Sequence, residues 1–210
     1  MSWTRNGETR SYHHGNLREA LMQAALDLVA EKGVAGFTFA EAARRAGVSP
    51  AAPYRHFRDR DELLAAVATA GFDRLTETLQ AAWQGGRPKG SEAFERVGRA
   101  YLAFARSRPA EYVAMFESGL SPDRHEGLKQ AGDKAFGVLR EAAEVLVSHM
   151  PGPGRPPALM VALHCWSLAH GIASLFGRAD GGRRKLPMDP DDLLEAGFLV
   201  YLKGLGAPDA

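Results

Sequence analysis

Closely spaced helix start and stop signals between residues 16 and 62 constrain the fold of this chain most. Asn16 and Thr38 are each followed three residues later by a glutamate, the pattern of a capping box at a helix N-terminus. Ser49-Pro50 combines a good cap with proline at the first helical position. Gly33 and Gly47 supply the left-handed residue on which helices end. These signals predict three consecutive helices, of which the second and third are short.

Similar signals divide the rest of the chain into helices. Glycine- and proline-rich breaks stand at residues 85–90 and 151–154, and residues 177–188 read as a loop. The sequence predicts helices over about 16–32, 38–46, 49–57, 59–83, 91–107, 157–176 and 189–205, with a short helix after Pro109 and a long one ending near Met150. Ala (35) and Leu (23) far outnumber Val (11), Thr (6) and Ile (1), which favours helix over strand. We therefore expect an all-α protein.

Several classes of protein are disfavoured by simple features of the sequence. The single cysteine, Cys165, excludes an internal disulfide framework and a multi-cysteine metal site. Residues 1–16 lack the apolar segment of a secretory signal, and we find no apolar run of the length that spans a bilayer. No nucleophile–base pair, phosphate-binding loop or metal-ligand spacing stands out. We expect a cytoplasmic protein with no cofactor, no metal and no membrane partner.

The second and third predicted helices form the pattern of a helix-turn-helix. The turn Ala46-Gly47-Val48-Ser49 joins them, and Gly47 allows the chain to turn left-handed. Val48 is placed to anchor the turn to the core, and the small Ala42 and Ala43 allow close approach of the helices. An ordinary helical corner is the alternative.

Charge is distributed unevenly along the chain. Residues 1–60 carry nine Lys/Arg and six Asp/Glu, whereas residues 61–210 carry seventeen and nineteen. A basic end on a slightly acidic body suggests nucleic acid at one end only. The alternative is a solvated surface with scattered charge.

A motif over the N-terminal part of the chain carries a family resemblance. Its residues are Phe37-Thr38, Ala42-Ala43-Arg44-Arg45-Ala46-Gly47-Val48-Ser49, Tyr54-Arg55-His56-Phe57 and Arg60-Asp61-Glu62-Leu63. The chain resembles the tetracycline-repressor (TetR/AcrR) family of transcriptional regulators over about residues 15–75. The stretch Trp166–Gly171 is similar to a subgroup named for its Trp-His-Gly signature. The resemblance implies an all-α homodimer with an N-terminal operator-binding domain and a variable C-terminal domain for a small effector.

The resemblance also implies a domain organisation. Residues 1–14 are expected to form a flexible arm, either a disordered tail or a basic strand that follows the minor groove. Residues 15–75 form the DNA-binding domain, with its helix-turn-helix at about 38–57. Residues 76–210 form the C-terminal ligand-binding and dimerisation domain.

The DNA-binding residues are assigned from the motif and from side-chain chemistry. The resemblance implies phosphate contacts by Thr38, Tyr54, His56 and Arg60, where Arg60 replaces the usual lysine. Arg55 is suited to pairing with guanine, and alanines to touching thymine methyl groups. The complete expected set is Thr38, Ser49, Ala51, Ala52, Tyr54, Arg55, His56 and Arg60. The alternative for Tyr54 is packing at the helix end.

The recognition segment departs from the family in one place. Ala51-Ala52-Pro53 stands where the family often has Gly/Pro-Thr-Leu, so a hydroxyl is missing at Ala52. Pro53 lacks an N–H at a position where that is only partly tolerated. We expect the recognition helix to be tighter or distorted there.

Aromatic and sulfur side chains in the C-terminal part are candidates for an effector pocket. They are Phe94, Tyr101, Phe104, Tyr112, Met115, Phe116, Phe136, Trp166 and His170. For each residue alone, the alternative is ordinary core packing. Few carboxylates in this part look buried, so we expect a small, neutral or apolar effector.

The last two predicted helices are rich in apolar residues and need cover. In the family the corresponding pair forms the four-helix bundle of the dimer. The candidate interface residues are Leu163, Trp166, Ser167, Leu194, Phe198 and Leu202. The alternative is that these residues close the core of the monomer.

Together these observations predict a DNA-binding transcriptional regulator, a repressor that a small-molecule effector releases from double-stranded operator DNA. Two alternatives remain: a constitutive DNA-binding protein without an effector, and an enzyme built on a helical bundle. We expect no enzymatic activity.

Overall fold

A computed structural model describes residues 17–87, 91–150, 154–176 and 188–206. These residues form eight α-helices and contain no strand, which confirms the all-α class. The helices are α1 (Leu17–Lys32), α2 (Phe39–Arg45), α3 (Arg60–Trp83), α4 (Ser91–Ser107), α5 (Pro109–Phe116), α6 (Glu126–Ser148), α7 (Ala158–Phe176) and α8 (Pro190–Gly204). The expected arm at 1–14, the cap at Asn16 and most of the loop at 177–188 lie outside the described residues.

The local signals around α2 work as the sequence predicts. Thr38 caps the helix: its hydroxyl accepts from the Glu41 N–H at 3.2 Å, and its own N–H donates to the Glu41 carboxylate at 2.8 Å. The helix ends at Gly47, whose φ of 74° suits glycine. Ala42 and Ala43 are fully buried, so α2 approaches its neighbours without intervening side chains.

The third helix predicted over 49–57 is wrong as an α-helix. The segment forms a single 3₁₀ turn, Ala52–Arg55, closed by bonds between residues three apart such as His56 N–H to the Pro53 carbonyl at 2.9 Å. Pro53 has no N–H for an α-helical bond, and its buried ring anchors the segment. The distortion expected at Pro53 therefore extends over the whole segment.

Two hydrophobic cores share two of the helices. The N-terminal core joins α1, α2 and the first turns of α3, where Leu63 and Val67 are fully buried. The C-terminal core joins α4, α6, α7 and α8 with the second half of α3. The short helix α5 also belongs to both, because Ala114 packs in the N-terminal core and Met115 in the other. The N-terminal unit, which is expected to bind DNA and consists of α1, α2, the 3₁₀ turn and the first turns of α3, is thus packed onto the larger helical body through α3 and α5.

Helix α8 packs against α4 at a glycine. A Cβ atom on Gly98 would stand 2.7 Å from the Phe198 ring, so only glycine admits that ring. The ion pairs Arg99–Glu195 (2.8 Å) and Arg106–Asp191 (2.5 Å) join the same two helices.

This packing corrects half of the expected dimer interface. Leu194, Phe198 and Leu202 are each at most 1% exposed in the single chain. They close the core of the protomer. Because Gly98 has no side chain, this face of α8 packs closely against α4. Leu163 and Ser167 on α7 are exposed, and Trp166 is partly buried.

Replacing Phe198, whose ring packs against Gly98, tests this placement of α8. Phe198→Ala leaves a cavity in the core and should lower the free energy of unfolding by about 3–5 kcal/mol. Val145→Ala, at an exposed position of α6, should change it by no more than about 0.5 kcal/mol. Chemical denaturation followed by circular dichroism measures both. A Phe198→Ala variant as stable as the Val145→Ala variant contradicts the burial of Phe198 in the protomer.

Candidate nucleic-acid interface and ligand cavity

The 3₁₀ turn presents a small polar surface to solvent. Tyr54 is 64% exposed, and Ser49, Ala51, Arg55 and His56 are exposed as well. The Tyr54 ring stands edge-on to Phe39 with its centroid 5.1 Å away, which fixes the direction of the hydroxyl. Ala52 is partly buried, so it offers less surface than Ala51. Five of the eight expected DNA-binding residues are therefore exposed in or beside the turn.

Thr38 lies at the N-terminus of α2, where backbone N–H groups favour an anion such as phosphate. Its hydroxyl is already used in the capping box with Glu41. The Lys32 ammonium at 2.8 Å and the bonds from Thr38 hold the pKa of Glu41 at about 2. The cap therefore stays ionised, and the start of α2 is rigid at neutral pH.

Arg60 is engaged within the chain. Its Nε donates to the Phe37 carbonyl at 3.0 Å, another nitrogen donates to the Val34 carbonyl, and the guanidinium lies 4.6 Å from the centroid of the Phe37 ring. Arg60 thus ties the start of α3 to the segment between α1 and α2. A phosphate contact by Arg60 stays a prediction, and its structural role was not expected from the sequence.

The remaining cations of the unit differ in their availability. Arg45 forms a bidentate pair with Glu31 at 2.5 and 2.7 Å, which joins α2 to α1, and Arg58 pairs with Glu62 at 3.1 Å. Arg44 and Arg55 are exposed and form no ion pair with any residue that the structure describes. Sequence reasoning missed Arg44, although helical spacing directs it and the neighbouring Arg45 to different sides of α2.

A cavity of about 310 Å³ lies among α3, α4, α5, α6, α7 and α8. Four of the expected pocket residues line it: Tyr101, Phe116, Phe136 and Trp166. Five do not: Phe94, Phe104, Tyr112, Met115 and His170. Phe94 instead packs on Phe198, and Met115 lies over Gly71, where a Cβ would stand 2.7 Å from its sulfur. The sequence also missed Asp133, an exposed carboxylate that lines the cavity.

A chain of polar side chains leads away from the cavity wall. The Tyr101 hydroxyl lies 2.8 Å from His170 Nδ1, which lies 3.0 Å from the Tyr112 hydroxyl on α5. Burial lowers the pKa of His170, an effect that the Glu117 carboxylate opposes, and burial raises the pKa of Tyr101. At neutral pH the imidazole in this chain is therefore uncharged. It links a residue that lines the cavity to a helix that packs on the DNA-binding unit.

An apolar face of α7 and α8 is open to solvent in the single chain. It includes Leu159, Leu163 and Leu175 on α7 and Leu199 and Val200 on α8, which are 40–74% exposed. Helix α7 has no Asp, Glu, Lys or Arg and is long and apolar enough to cross a membrane, with a third of its residues buried. The expectation that no such segment exists is therefore wrong. Length and composition alone do not separate a membrane helix from one covered by protein.

Comparison with known proteins finds a matching family model for both the N-terminal and the C-terminal part of the chain. A family model described as bacterial regulatory proteins of the tetR family matches residues 21–67. A second model, the tetracyclin repressor-like C-terminal domain, matches residues 94–200, about half of the chain. The chain belongs to the tetracycline-repressor family. It is therefore a DNA-binding transcriptional regulator, and its relatives are regulators rather than enzymes.

Individual relatives of this regulator agree with the family. A solved structure of a protein of unknown function from Rhodococcus sp. RHA1 is 32% identical, covers 94% of this chain and 99% of its own, and has a TM-score of 0.76. The regulator PfmR from Thermus thermophilus shares the fold, with 23% identity, coverage of 88% and 98%, and a TM-score of 0.68. The HTH-type transcriptional regulator BetI from Rhizobium meliloti is 37% identical over 65 residues. That match spans only 31% of this chain and 32% of BetI.

The cysteine beside the cavity gives a direct test of how well the helices enclose it. Cys165 is 2% exposed, and burial raises the pKa of its thiol to about 12. Because the thiolate is the reactive form, iodoacetamide should alkylate the native protein very slowly up to about pH 9. Denatured protein, in which the thiol has its ordinary pKa, should react completely at the same pH. Mass spectrometry measures both, and rapid labelling of the native protein contradicts this environment.

Proposed function

We propose that the protein is a transcriptional repressor that a small organic ligand, bound in the cavity, releases from its operator. The observation that carries this proposal is that the helices around the cavity include the two that pack against the DNA-binding unit. Phe72 and Leu75 on α3 and Phe116 on α5 line the cavity. Leu63 on α3 and Ala114 on α5 lie in the N-terminal core. The constitutive alternative leaves such a largely apolar cavity unexplained.

Coupling through α5 follows from its tight contacts. Met115 fits against α3 only because residue 71 is glycine. The buried Glu111 carboxylate accepts from Arg74 on α3 at 3.0 Å and from Arg108 at 3.2 Å. These contacts leave α5 little freedom to move without α3. A ligand that displaces Phe116 on α5 would therefore shift both helices, and with them the N-terminal core to which both contribute.

A dimer is the second part of the proposal, and regulators of this family usually act as dimers. The open face of α7 and α8 would pack against the same face of a second copy, as two-fold symmetry requires. A second copy explains why an apolar face of this kind is open in a DNA-binding regulator. Dimerisation would set the spacing of two 3₁₀ turns on successive major grooves, ~34 Å apart. With operator DNA as the partner, we propose a cytoplasmic location.

The proposal is tested by selecting operator DNA and then releasing it. Genomic fragments that the full-length protein retains are sequenced, and a retained site is then titrated with a panel of small organic compounds. The proposal predicts that some compounds that bind the protein also lower its affinity for the site. If compounds occupy the cavity and the affinity for DNA stays constant, the constitutive alternative is correct.

Two variants distinguish a phosphate contact, which positions the protein on DNA, from a base contact, which reads the DNA sequence. Tyr54→Phe should weaken binding to all DNA sequences alike, by about 1.5–3 kcal/mol per contact, because phosphate carries no sequence information. Arg55→Ala should cost about 1–3 kcal/mol, concentrated at one base pair of each half-site, because the guanidinium reads guanine. Binding to a library of single-base operator variants measures both. A uniform loss for Arg55→Ala, or a position-specific loss for Tyr54→Phe, would reverse the assignment.

A charge on the open face tests the dimer. Val200 is 74% exposed in the protomer, so Val200→Asp should leave the fold intact but bury two unpaired carboxylates in each dimer. We expect the dissociation constant of the dimer to rise at least about tenfold, since about 1.4 kcal/mol suffices for that change. Val145→Asp, at an exposed valine of α6, serves as the matched control. If sedimentation shows that Val200→Asp forms dimers at the same protein concentration as the wild type, this face is not the dimer interface.

A further inference from the structure

Aromatic rings make up much of the cavity wall. Six of the lining side chains are aromatic: Phe72, Tyr101, Phe116, Phe136, Trp166 and Phe198. They meet in edge-to-face pairs, Phe72 with Phe116 at 5.3 Å and Phe136 with Trp166 at 5.9 Å between ring centroids. The faces of such rings carry partial negative charge, which attracts cations.

The charge on the wall has one sign. None of the described residues that line the cavity is Lys, Arg or His, and Asp133 is the charged residue among them. Asp133 both lines the cavity and is exposed, so it lies at the mouth. It lies next to Gly132, where a Cβ would stand 3.9 Å from the Phe72 ring, and one turn before Phe136. A carboxylate thus stands where two of the aromatic walls meet solvent.

Asp133 is not used in an ion pair within the part of the chain that the structure describes. Lys129, one turn earlier on α6, directs its ammonium to Asp123 at 3.3 Å. This neighbouring cation of the helix is therefore engaged elsewhere. Among the residues that the structure describes, the Asp133 carboxylate has no ion-pair partner, so it is available to a positive group at the mouth.

This arrangement discriminates between ligands by charge. An anionic ligand would bring its charge into an apolar cavity that offers no cation among the described residues, at a large desolvation cost. A neutral ligand would gain only from the burial of its apolar surface. A cationic ligand would gain the same burial together with the attraction of the ring faces and of Asp133.

We propose that the cavity binds a small organic cation whose apolar body lies between the aromatic rings and whose positive group lies at Asp133. This assignment rests on the proposed ligand-binding role and goes beyond it in naming the charge. A cavity of about 310 Å³ is at the small end of ligand pockets, which suits a short alkyl or single-ring ammonium.

Calorimetry on the full-length protein tests the assignment with three probes that share one body: octyltrimethylammonium, 1-octanol and octanoate. We expect the ammonium to bind about tenfold more tightly than the alcohol, and octanoate to bind most weakly. Asp133→Asn should weaken binding of the ammonium up to about fivefold, as is typical of an exposed charge pair, and leave 1-octanol unchanged. Glu144→Gln, an exposed carboxylate three turns further along α6, should change none of the affinities.

Three results would overturn the assignment: 1-octanol or octanoate binding as tightly as the ammonium, an unchanged affinity in Asp133→Asn, or no binding of any probe. Fluorescence anisotropy of labelled operator DNA, measured with the same probes, separates this proposal from the release mechanism. Tight ammonium binding that leaves DNA bound supports the ligand class and contradicts release. Release by octanoate or 1-octanol alone supports release and overturns the ligand class.

Discussion

The packing of α3 into both hydrophobic cores is the constraint on which the rest of the structure depends. The helix has 24 residues and is therefore ~36 Å long. At its start Arg60 binds the Phe37 carbonyl of the DNA-binding unit, and at its end the Trp83 indole donates to Glu141 on α6 at 3.2 Å. Both ends are thus fixed to different parts of the molecule. Helix α3 thus connects the wall of the cavity to the N-terminal core.

The polar interactions of the DNA-binding unit have a second consequence. Several of its cations are held by nearby groups of the same chain: Lys32 by Glu41, Arg45 by Glu31, and Arg60 by backbone carbonyls. Exposed pairs of this kind add little stability, but they hold α1, α2 and the start of α3 in one arrangement. Near the 3₁₀ turn, by contrast, Arg44 and Arg55 face solvent. Net charge alone, which is +1, gives no indication of this arrangement.

Local signals in the sequence predicted most of the local structure, but the helix expected over 49–57 is a 3₁₀ turn because of Pro53. Contacts between distant residues account for the other errors. The capping box at Thr38 and the stop at Gly47 act within a few residues, so they were readable. Phe198 was expected at an interface because its burial depends on Gly98, a hundred residues earlier. Asp133 was missed because its place at the cavity mouth depends on how α6 is rotated against α3 and α7. The identity of the apolar set was predictable, but which of its members face the cavity was not.

The central claim is that the shared helices join the two cores into one cooperative unit. Hydrogen–deuterium exchange under increasing denaturant tests this claim. If α3 and α5 join the cores, backbone amides of α1, α3 and α7 should lose protection in a single cooperative step with the same free energy and the same dependence on denaturant. The amides of Leu28, Val67 and Ala169, each in a buried turn of its helix, report on the three regions. Loss of protection in α1 at clearly lower denaturant than in α7 would show that the DNA-binding unit opens alone and would contradict the account.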